Sequence, residues 1–243
     1  MKGICRIAAW LTAALGAGAA SAGDFAHIQP LGFSADGSVF AFEEYGVQDG
    51  SGFPYATIYF IDTQQDRYLP GTPYRVRLED EQASLGKARD AARNAAAGLI
   101  GKYDLSANPG LLAAFNPFTE RDSAPDRIRY DAVAVQPQVG NTNAMALETF
   151  DITASPKCQS FDIRTRGFRL RMTEVAGQPA NRLFHEDKQI PESRNCPTDY
   201  RLGGVMTFNP QPSGGWVHIA LVLVLSQGFE GSDGRWIAVP VRP

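Results

Sequence analysis

Several carboxylates lie close together near the start of the chain, among aromatic residues and glycines. The candidate ligand-binding residues of this stretch are Glu43, Glu44, Tyr45, Asp49 and Tyr55. Carboxylate and carbonyl oxygens are the ligands that Ca²⁺ prefers, so these residues raise the hypothesis of a calcium or small-ligand site. Adjacent residues of a strand point to opposite faces, however, so Glu43 and Glu44 converge only where the strand bulges or ends.

The loop that follows does not have the composition of a calcium loop. Asp49-Gly50-Ser51-Gly52 lacks the alternating carboxylates of such loops, and we assign no metal ligand. A solvated strand end with a glycine-rich hairpin loop explains the same residues and is the simplest interpretation. A small-ligand site and a cation site remain as alternatives.

A row of arginines forms a second candidate site, for an anion. Its members are Arg164, Arg166, Arg169 and Arg171. Strict alternation along a strand places the first two opposite the second two, and a bulge at Gly167 would bring all four to one face. That face could bind a phosphorylated lipid, a cell-wall carboxylate or an acidic protein. We favour the alternative of a solvated outer face whose arginines pair with acids of neighbouring strands.

The sequence contains no familiar catalytic motif. It has neither the HExxH of zinc proteases nor the GxSxG of α/β-hydrolases. Ser84 and Lys87 match the SxxK of serine acyltransferases, but the partner motifs SDN and KTG are missing. His185 and His218 are interpreted as a turn residue and a core or edge residue. No catalytic residue and no cofactor is assigned, although a pair of carboxylates for glycoside hydrolysis is defined only in three dimensions.

The N-terminus has the pattern of an export signal. Lys2 and Arg6 precede an apolar run of about 14 residues, and Ala20-Ser21-Ala22 is a small-x-small cleavage pattern. We expect residues 1–22 to be a signal peptide that is cleaved between Ala22 and Gly23. The alternative is an uncleaved anchor, but the run is shorter than the roughly 20 residues that span a bilayer as a helix. No later segment is long enough to be a transmembrane anchor.

Export to an oxidising compartment predicts a disulfide bond. Cys158 and Cys196 remain after cleavage, and two cysteines in an oxidising compartment indicate a disulfide. The bond would close a loop of 38 residues, which stabilises the fold by about 4 kcal/mol in the loop-entropy model. A metal pair or a reactive thiol is the alternative.

Composition and charge narrow the class of protein. The 243 residues are 44% hydrophobic and 20% charged, as in ordinary globular proteins. Cleavage removes two basic residues and no acid, which takes the net charge from −3 to −5. An acidic exported protein is not expected to bind nucleic acid.

Hydrophobic periodicity predicts a mainly β (α+β) fold with antiparallel, sandwich-like sheets and one main helix packed on a sheet. Residues 23–78 show β-hairpin patterns, residues 79–103 a helix, and residues 127–243 a region of sheet, all in a single domain. The stretch between the helix and residue 125 is expected to be a loop or short helical turns.

Several elements can be predicted more closely. The helix carries an apolar stripe of Leu85, Ala88, Ala92, Ala95 and Leu99. Strands are predicted where apolar and polar residues alternate, at 74–78, 130–135 and 161–172. The continuous apolar run at 217–225 indicates a central strand that is buried on both faces.

Two resemblances follow from local motifs. Phe33-Ser34-Ala35-Asp36-Gly37 and Ile58-Tyr59-Phe60-Ile61-Asp62 resemble a blade of a periplasmic β-propeller, but a propeller needs several such units and the sequence has one. Over most of its length the chain resembles a family of bacterial predicted secreted proteins, domain of unknown function 2259. The motifs are Phe42-Glu43-Glu44-Tyr45-Gly46, residues 49–55, and residues 228–233 leading into Trp236-Ile237-Ala238-Val239. This resemblance implies export, and it implies no activity, substrate or catalytic residue.

These observations lead to a hypothesis of function with two alternatives. The first is an exported cell-envelope protein of non-enzymatic character that binds an envelope protein or polymer. The second is a periplasmic hydrolase that uses Glu43 or Glu44 with Asp49. The third is a binding protein for Ca²⁺ or a small ligand in the same loop.

Overall fold

A computed structural model describes residues 23–136, 142–210, 215–228 and 231–243. Residues 1–22, which include Ala22 of the expected cleavage pair, lie outside the described residues, and so do Phe229 and Glu230 of the last family motif. Gly23 is the first residue described.

Thirteen strands of the described residues form three antiparallel sheets. The N-terminal sheet contains His27–Phe33 (β1), Val39–Val47 (β2), Pro54–Asp62 (β3), Arg67–Tyr68 (β4) and Tyr74–Arg77 (β5). The central sheet contains Leu111–Phe115 (β6), Pro197–Phe208 (β11), Val217–Gln227 (β12) and Ser232–Val241 (β13). The outer sheet contains Arg127–Asp131 (β7), Thr142–Asp151 (β8), Arg166–Val175 (β9) and Gln178–Glu186 (β10). The helices are Leu85–Lys102 (α1) and Pro156–Ser160 (α2), with 3₁₀ turns at Leu105–Ala107 and Glu192–Arg194.

The central sheet is packed on both of its faces. In β12, Leu221 and Leu223 pack against the N-terminal sheet, whereas Val222 and Val224 pack against the outer sheet. This alternation follows from the two-residue period of a strand. The continuous apolar run therefore indicated correctly a strand that is buried on both faces, and the mainly β, sandwich-like class is confirmed.

Helix α1 covers the remaining face of the N-terminal sheet. Ala88, Ala92 and Ala96 are fully buried, and Ala92 and Ala96 belong to one cluster with Ala56, Ile58 and Phe60 of β3. The small alanine side chains let the helix approach the sheet closely. Ala95, which the predicted stripe included, is exposed because the buried positions recur every fourth residue.

The helix begins six residues later than predicted. Ser84 is its N-cap, and the Ser84 hydroxyl accepts a hydrogen bond from the Lys87 backbone N–H at 3.2 Å. The preceding acidic residues belong to a turn, in which the Asp80 carboxylate accepts from Gln82 N–H. Capping therefore explains the serine of the SxxK match.

The local sequence pattern missed or misplaced strands in four places. The segment after the helix contains β6, which pairs with β11 in the central sheet. Strand β7 ends at Asp131, and Val133 and Val135 are exposed outside it. Strand β9 begins at Arg166 rather than 161. Strand β11, the longest of the chain as described, had no clear signal because Asp199, Arg201 and two glycines interrupt its apolar residues.

The described part of the chain contains no helix that is both long and apolar enough to cross a membrane.

Candidate functional site

The two adjacent glutamates point to opposite faces of β2, as the strand period requires, but they are not solvated. The exposed fraction is 0% for Glu43 and 3% for Glu44. The expectation of a solvated strand end is therefore wrong at these two positions. Strands β1 and β3 flank β2, and helix α1 and the central sheet cover its two faces, so both glutamates are buried. This burial depends on segments far away in the chain, and the local sequence does not show it.

Glu43 faces helix α1, where it is fully occupied by two arginines. Its carboxylate accepts hydrogen bonds from Arg89 Nε and Nη2, both at 2.9 Å, and from Arg93 Nη2 at 2.7 Å. Burial raises the pKa of Glu43, but the hydrogen bonds and charges of Arg89 and Arg93 outweigh it and hold the pKa below its ordinary value. The arrangement fixes the helix to the sheet and leaves Glu43 no free oxygen for a ligand.

The five candidate ligand-binding residues do not converge. Tyr45 shares the helix face with Glu43, and the Arg89 guanidinium lies 3.8 Å from the centre of its ring. Asp49 is half-buried in the loop after β2. Glu44 and Tyr55 remain, on the opposite face. Among the described residues no group of three His, Cys, Asp or Glu side chains is placed to hold a metal ion.

Glu44 and Tyr55 lie in a cleft of about 680 Å³ at the junction of the three sheets. We call it the tyrosine cleft, after Tyr55, Tyr59 and Tyr68, which line it together with Glu44. Alternate residues of β3 face it, because the residues between them pack against helix α1. Residues 235–239 of β13 form the facing wall, and residues 191 and 193–195 form one side of the mouth.

Glu44 forms the polar floor of the tyrosine cleft. Its Oε2 accepts a hydrogen bond from the backbone N–H of Trp236 at 2.5 Å, and its Oε1 lies 3.4 Å from the Tyr59 hydroxyl. Burial raises the pKa of Glu44 to about 7, although the Trp236 hydrogen bond and the charge of Arg235 oppose the rise. The carboxyl group can therefore hold or release a proton near neutral pH.

An ion pair between distant parts of the chain supports the wall beside Glu44. Arg235 donates to the Asp24 carboxylate at 2.5 Å and to the Asp24 carbonyl at 2.6 Å. The Tyr55 hydroxyl donates to the same carboxylate at 3.0 Å, and Arg235 lies 4.9 Å from the centre of the Tyr55 ring. Burial raises the pKa of the Tyr55 hydroxyl, which stays neutral. The N-terminal segment is thus attached to the cleft wall.

A histidine between two carboxylates closes part of the mouth. His185, at the end of β10, contacts Asp187 through Nε2 at 3.0 Å and Asp66 through Nδ1 at 3.3 Å. Asp66 lies in the turn between β3 and β4, so this contact joins the outer sheet to the N-terminal sheet. Burial lowers the pKa of His185, but the hydrogen bonds to the two carboxylates outweigh it, and the pKa lies above its ordinary value.

Arg194 completes the same cluster. It donates to both oxygens of Asp187, at 2.7 and 2.8 Å, and only 10% of its side chain is exposed. The turn interpretation of the histidine motif therefore missed a network that connects residues 66, 185, 187 and 194.

The two cysteines stand at disulfide distance, as expected. The Cα atoms of Cys158 and Cys196 are 5.6 Å apart. Cys196 directly follows the mouth residues 193–195, so the bond tethers that side of the tyrosine cleft to helix α2. The cross-link is therefore a positioning element of the cleft wall.

The arginine row lies elsewhere, on the outer sheet, and its members are separated. Pairing between β8 and β9 runs without a shift across Gly167, so the bulge that would align all four is absent from the described strand. Arg164 pairs with Asp151, and Arg169 pairs with Glu148 at 3.4 Å and with Glu186 at 3.0 Å. Arg171 donates to Asn181 at 3.1 Å, and Arg166 donates to the Thr149 carbonyl at 3.2 Å.

His218 is a core residue. It is 1% exposed, and its Nδ1 lies 2.7 Å from the Tyr130 hydroxyl. Burial lowers the pKa of His218 to about 4, so the ring is neutral at physiological pH.

Sequence reasoning missed most residues of the cleft. Arg235, His185 and Arg194 come from segments far from Glu44, and no local pattern links them. One usable signal was the alternation over residues 74–77, because Tyr74 and Val76 face the helix while Arg75 and Arg77 line the cleft.

Fold and site together define a layered antiparallel β protein with a ligand-sized cleft at the junction of its sheets. The model of a family described as predicted secreted protein, DUF2259, matches residues 41–242. The chain therefore belongs to this family of predicted secreted proteins. No curated protein and no solved structure gives a significant match to the chain.

Proposed function

We propose that this protein is an exported binding module of the cell envelope that holds a small organic molecule in the tyrosine cleft. The observation that carries the proposal is the cleft itself. Its volume of about 680 Å³ falls within the roughly 300–1,000 Å³ of small-molecule sites. Such sites combine apolar and aromatic walls with a few well-placed polar groups, and here tyrosines, Val224 and Ala238 surround Glu44.

Contacts within the chain hold the polar groups of the cleft in place. Glu44 is held by the Trp236 N–H, Tyr55 by Asp24, and Arg194 by Asp187. Preorganised polar groups favour binding because less side-chain freedom is lost when the ligand arrives. Membership of a family of predicted secreted proteins and the expected signal peptide at residues 1–22 support an envelope location for this function.

The test is thermal unfolding of the purified protein with a panel of sugars, sugar acids, aromatic acids and cell-wall fragments. A ligand that binds only the folded state raises the melting temperature. Ser193→Trp places an indole in the mouth of the cleft, at an exposed side chain. Ser106→Trp is the matched control, because Ser106 is also exposed but lies on the 3₁₀ turn after helix α1.

The proposal predicts a shift that Ser193→Trp abolishes and Ser106→Trp retains. A shift that survives Ser193→Trp would locate the ligand elsewhere and contradict the proposal. A panel in which no compound shifts the melting temperature would contradict the small-ligand proposal and favour a protein or polymer as the partner, which crosslinking in the intact envelope would test.

A second candidate function is general acid–base catalysis by Glu44. The observation that favours it is a buried carboxyl group with a pKa of about 7 that faces a cleft, since such a pKa suits proton transfer near neutral pH. Glu43 and Asp49 do not share that cleft, so a hydrolase would use Glu44 without them. Turnover of nitrophenyl glycosides or esters that Glu44→Gln abolishes would support this function, and turnover that survives would contradict it.

A further inference from the structure

Two of the five arginines that line the tyrosine cleft have no ion-pair partner among the described residues. Its lining contains five arginines and two carboxylates, Glu44 and Asp66. Three of the arginines are paired with carboxylates: Arg77 with Glu79, Arg194 with Asp187, and Arg235 with Asp24. The other two, Arg67 and Arg75, form no salt bridge with any carboxylate of the described residues.

Arg75 is placed to act on the interior of the cleft. It lies on β5 directly opposite Thr57 of β3, another residue of the cleft lining. Burial raises the pKa of Tyr59 and of Tyr68, Glu44 adds to the rise, and the positive charge of Arg75 opposes it. The guanidinium and the Glu44 carboxyl group therefore act on the same pair of tyrosines, one from the mouth and one from the floor.

The floor does not repel a negative charge below neutral pH. Because burial raises the pKa of Glu44 to about 7, this carboxyl group is mostly protonated near pH 6. The protonated group can also donate a hydrogen bond, which a carboxylate cannot do. The Arg75 guanidinium at the mouth and a neutral acid at the floor favour a ligand with one anionic end and one polar end.

We propose that the tyrosine cleft binds an organic anion, a carboxylate or phosphate carried by a sugar or an aromatic ring, and that Arg75 binds its charged group. Guanidinium groups bind both anions through paired N–H donors, which explains why the chemical class includes both. This inference rests on the proposed function, because it names the ligand class of the same cleft. It does not concern the arginine row of the outer sheet.

The test is isothermal titration calorimetry of the purified protein with three pairs of probes that differ in charge. The pairs are glucuronate with glucose, indole-3-acetate with indole-3-acetamide, and phenyl phosphate with phenol. The first pair tests a sugar acid, the second an aromatic carboxylate and the third an aromatic phosphate. Near pH 6 and at low salt, we expect the charged member of at least one pair to bind about tenfold or more tightly than its neutral partner.

One substitution and a matched control test whether Arg75 binds the charged group of the probe. Arg75→Gln should weaken binding of the charged probe by about tenfold or more, because a hydrogen-bonded charge is lost. Arg129→Gln is the matched control, since Arg129 is an exposed arginine of β7 outside the cleft that pairs with Glu174 at 3.0 Å. We expect it to leave the affinity unchanged.

The outcomes separate this inference from the proposed function. Equal binding of charged and neutral probes, equal losses in Arg75→Gln and Arg129→Gln, or no binding of any charged probe at about 10 mM would each overturn the anion class. If neutral probes bind and Ser193→Trp abolishes that binding, the proposed function stands and the anion class fails. Charged-probe binding that Ser193→Trp leaves intact would overturn both.

Discussion

Replacing Glu44 with glutamine should stabilise the protein at alkaline pH. The pKa of Glu44 is about 7 in the folded protein against an ordinary value of 4.5. The folded state therefore binds this proton more tightly than the unfolded state, and stability falls as the pH rises from about 4.5 to about 7. Each tenfold change in proton affinity corresponds to about 1.4 kcal/mol, so ionisation of Glu44 lowers the free energy of unfolding by roughly 3 kcal/mol in total.

Glutamine is neutral at every pH and keeps the shape of the protonated acid. Its carbonyl can accept from Trp236 N–H, and its amide can donate to the Tyr59 hydroxyl. We therefore expect Glu44→Gln to exceed the wild type by less than about 1 kcal/mol near pH 5 and by about 3 kcal/mol near pH 8. For a chain of this size the difference corresponds to a melting temperature roughly 6–12 °C higher.

The assay is urea unfolding of both proteins at a series of pH values from about 5 to 8. The adjacent Glu43→Gln is the control, because its pKa is lowered and its charge is paired with Arg89 and Arg93. It should lose about 2–3 kcal/mol throughout this pH range, because the stability that a lowered carboxyl pKa contributes is complete above the ordinary value of 4.5 and is lost only as the pH falls below it. The reasoning about burial of Glu44 is wrong if Glu44→Gln gives no gain at pH 8, or a gain of the same size at pH 5.

Three further predictions concern the framework of the cleft. Replacing both cysteines of the disulfide pair by serine should cost about 4 kcal/mol because a 38-residue loop is released in the unfolded chain, and unchanged unfolding in urea, or an intact mass that reduction leaves the same, would contradict the bond. Gly203→Ala should lower the free energy of unfolding by about 1–3 kcal/mol, because a methyl group there would lie 2.4 Å from the Trp236 ring. Gly98→Ala is the control: this helix position is open, so the substitution should raise stability by a few tenths to about 1 kcal/mol. Equal effects of the two substitutions on urea unfolding would refute this reasoning. His185→Asn should lower stability by about 1–2 kcal/mol near pH 5.5 and by less near pH 8.5. The reason is that the stability contributed by a raised histidine pKa is complete below the ordinary value of 6.5 and is lost as the pH rises through the folded-state pKa. A loss of the same size at both pH values, measured by thermal unfolding, would contradict this prediction.

The local sequence was sufficient to predict features that depend on a single strand or helix. The apolar run of β12 required two packed faces because each alternate set of its side chains needs an apolar partner. Alternation also required Glu43 and Glu44 to diverge, and it placed Arg75 and Arg77 together on one face of β5. The count of cysteines after the expected cleavage indicated the pairing of Cys158 with Cys196.

Periodicity reports the face of an element on which a side chain lies, but not what covers that face. For that reason the burial of both glutamates, the exposure of Ala95 and the existence of β6 and β11 were decided only by tertiary packing. The tyrosine cleft is the strongest example, since Arg235 and the Asp24 that binds it are 211 residues apart. The sequence by itself determined which residues face each side of the strands that it predicted. Only the assembly of three sheets created the tyrosine cleft, because the burial that raises the pKa of Glu44 comes from segments far apart in the chain.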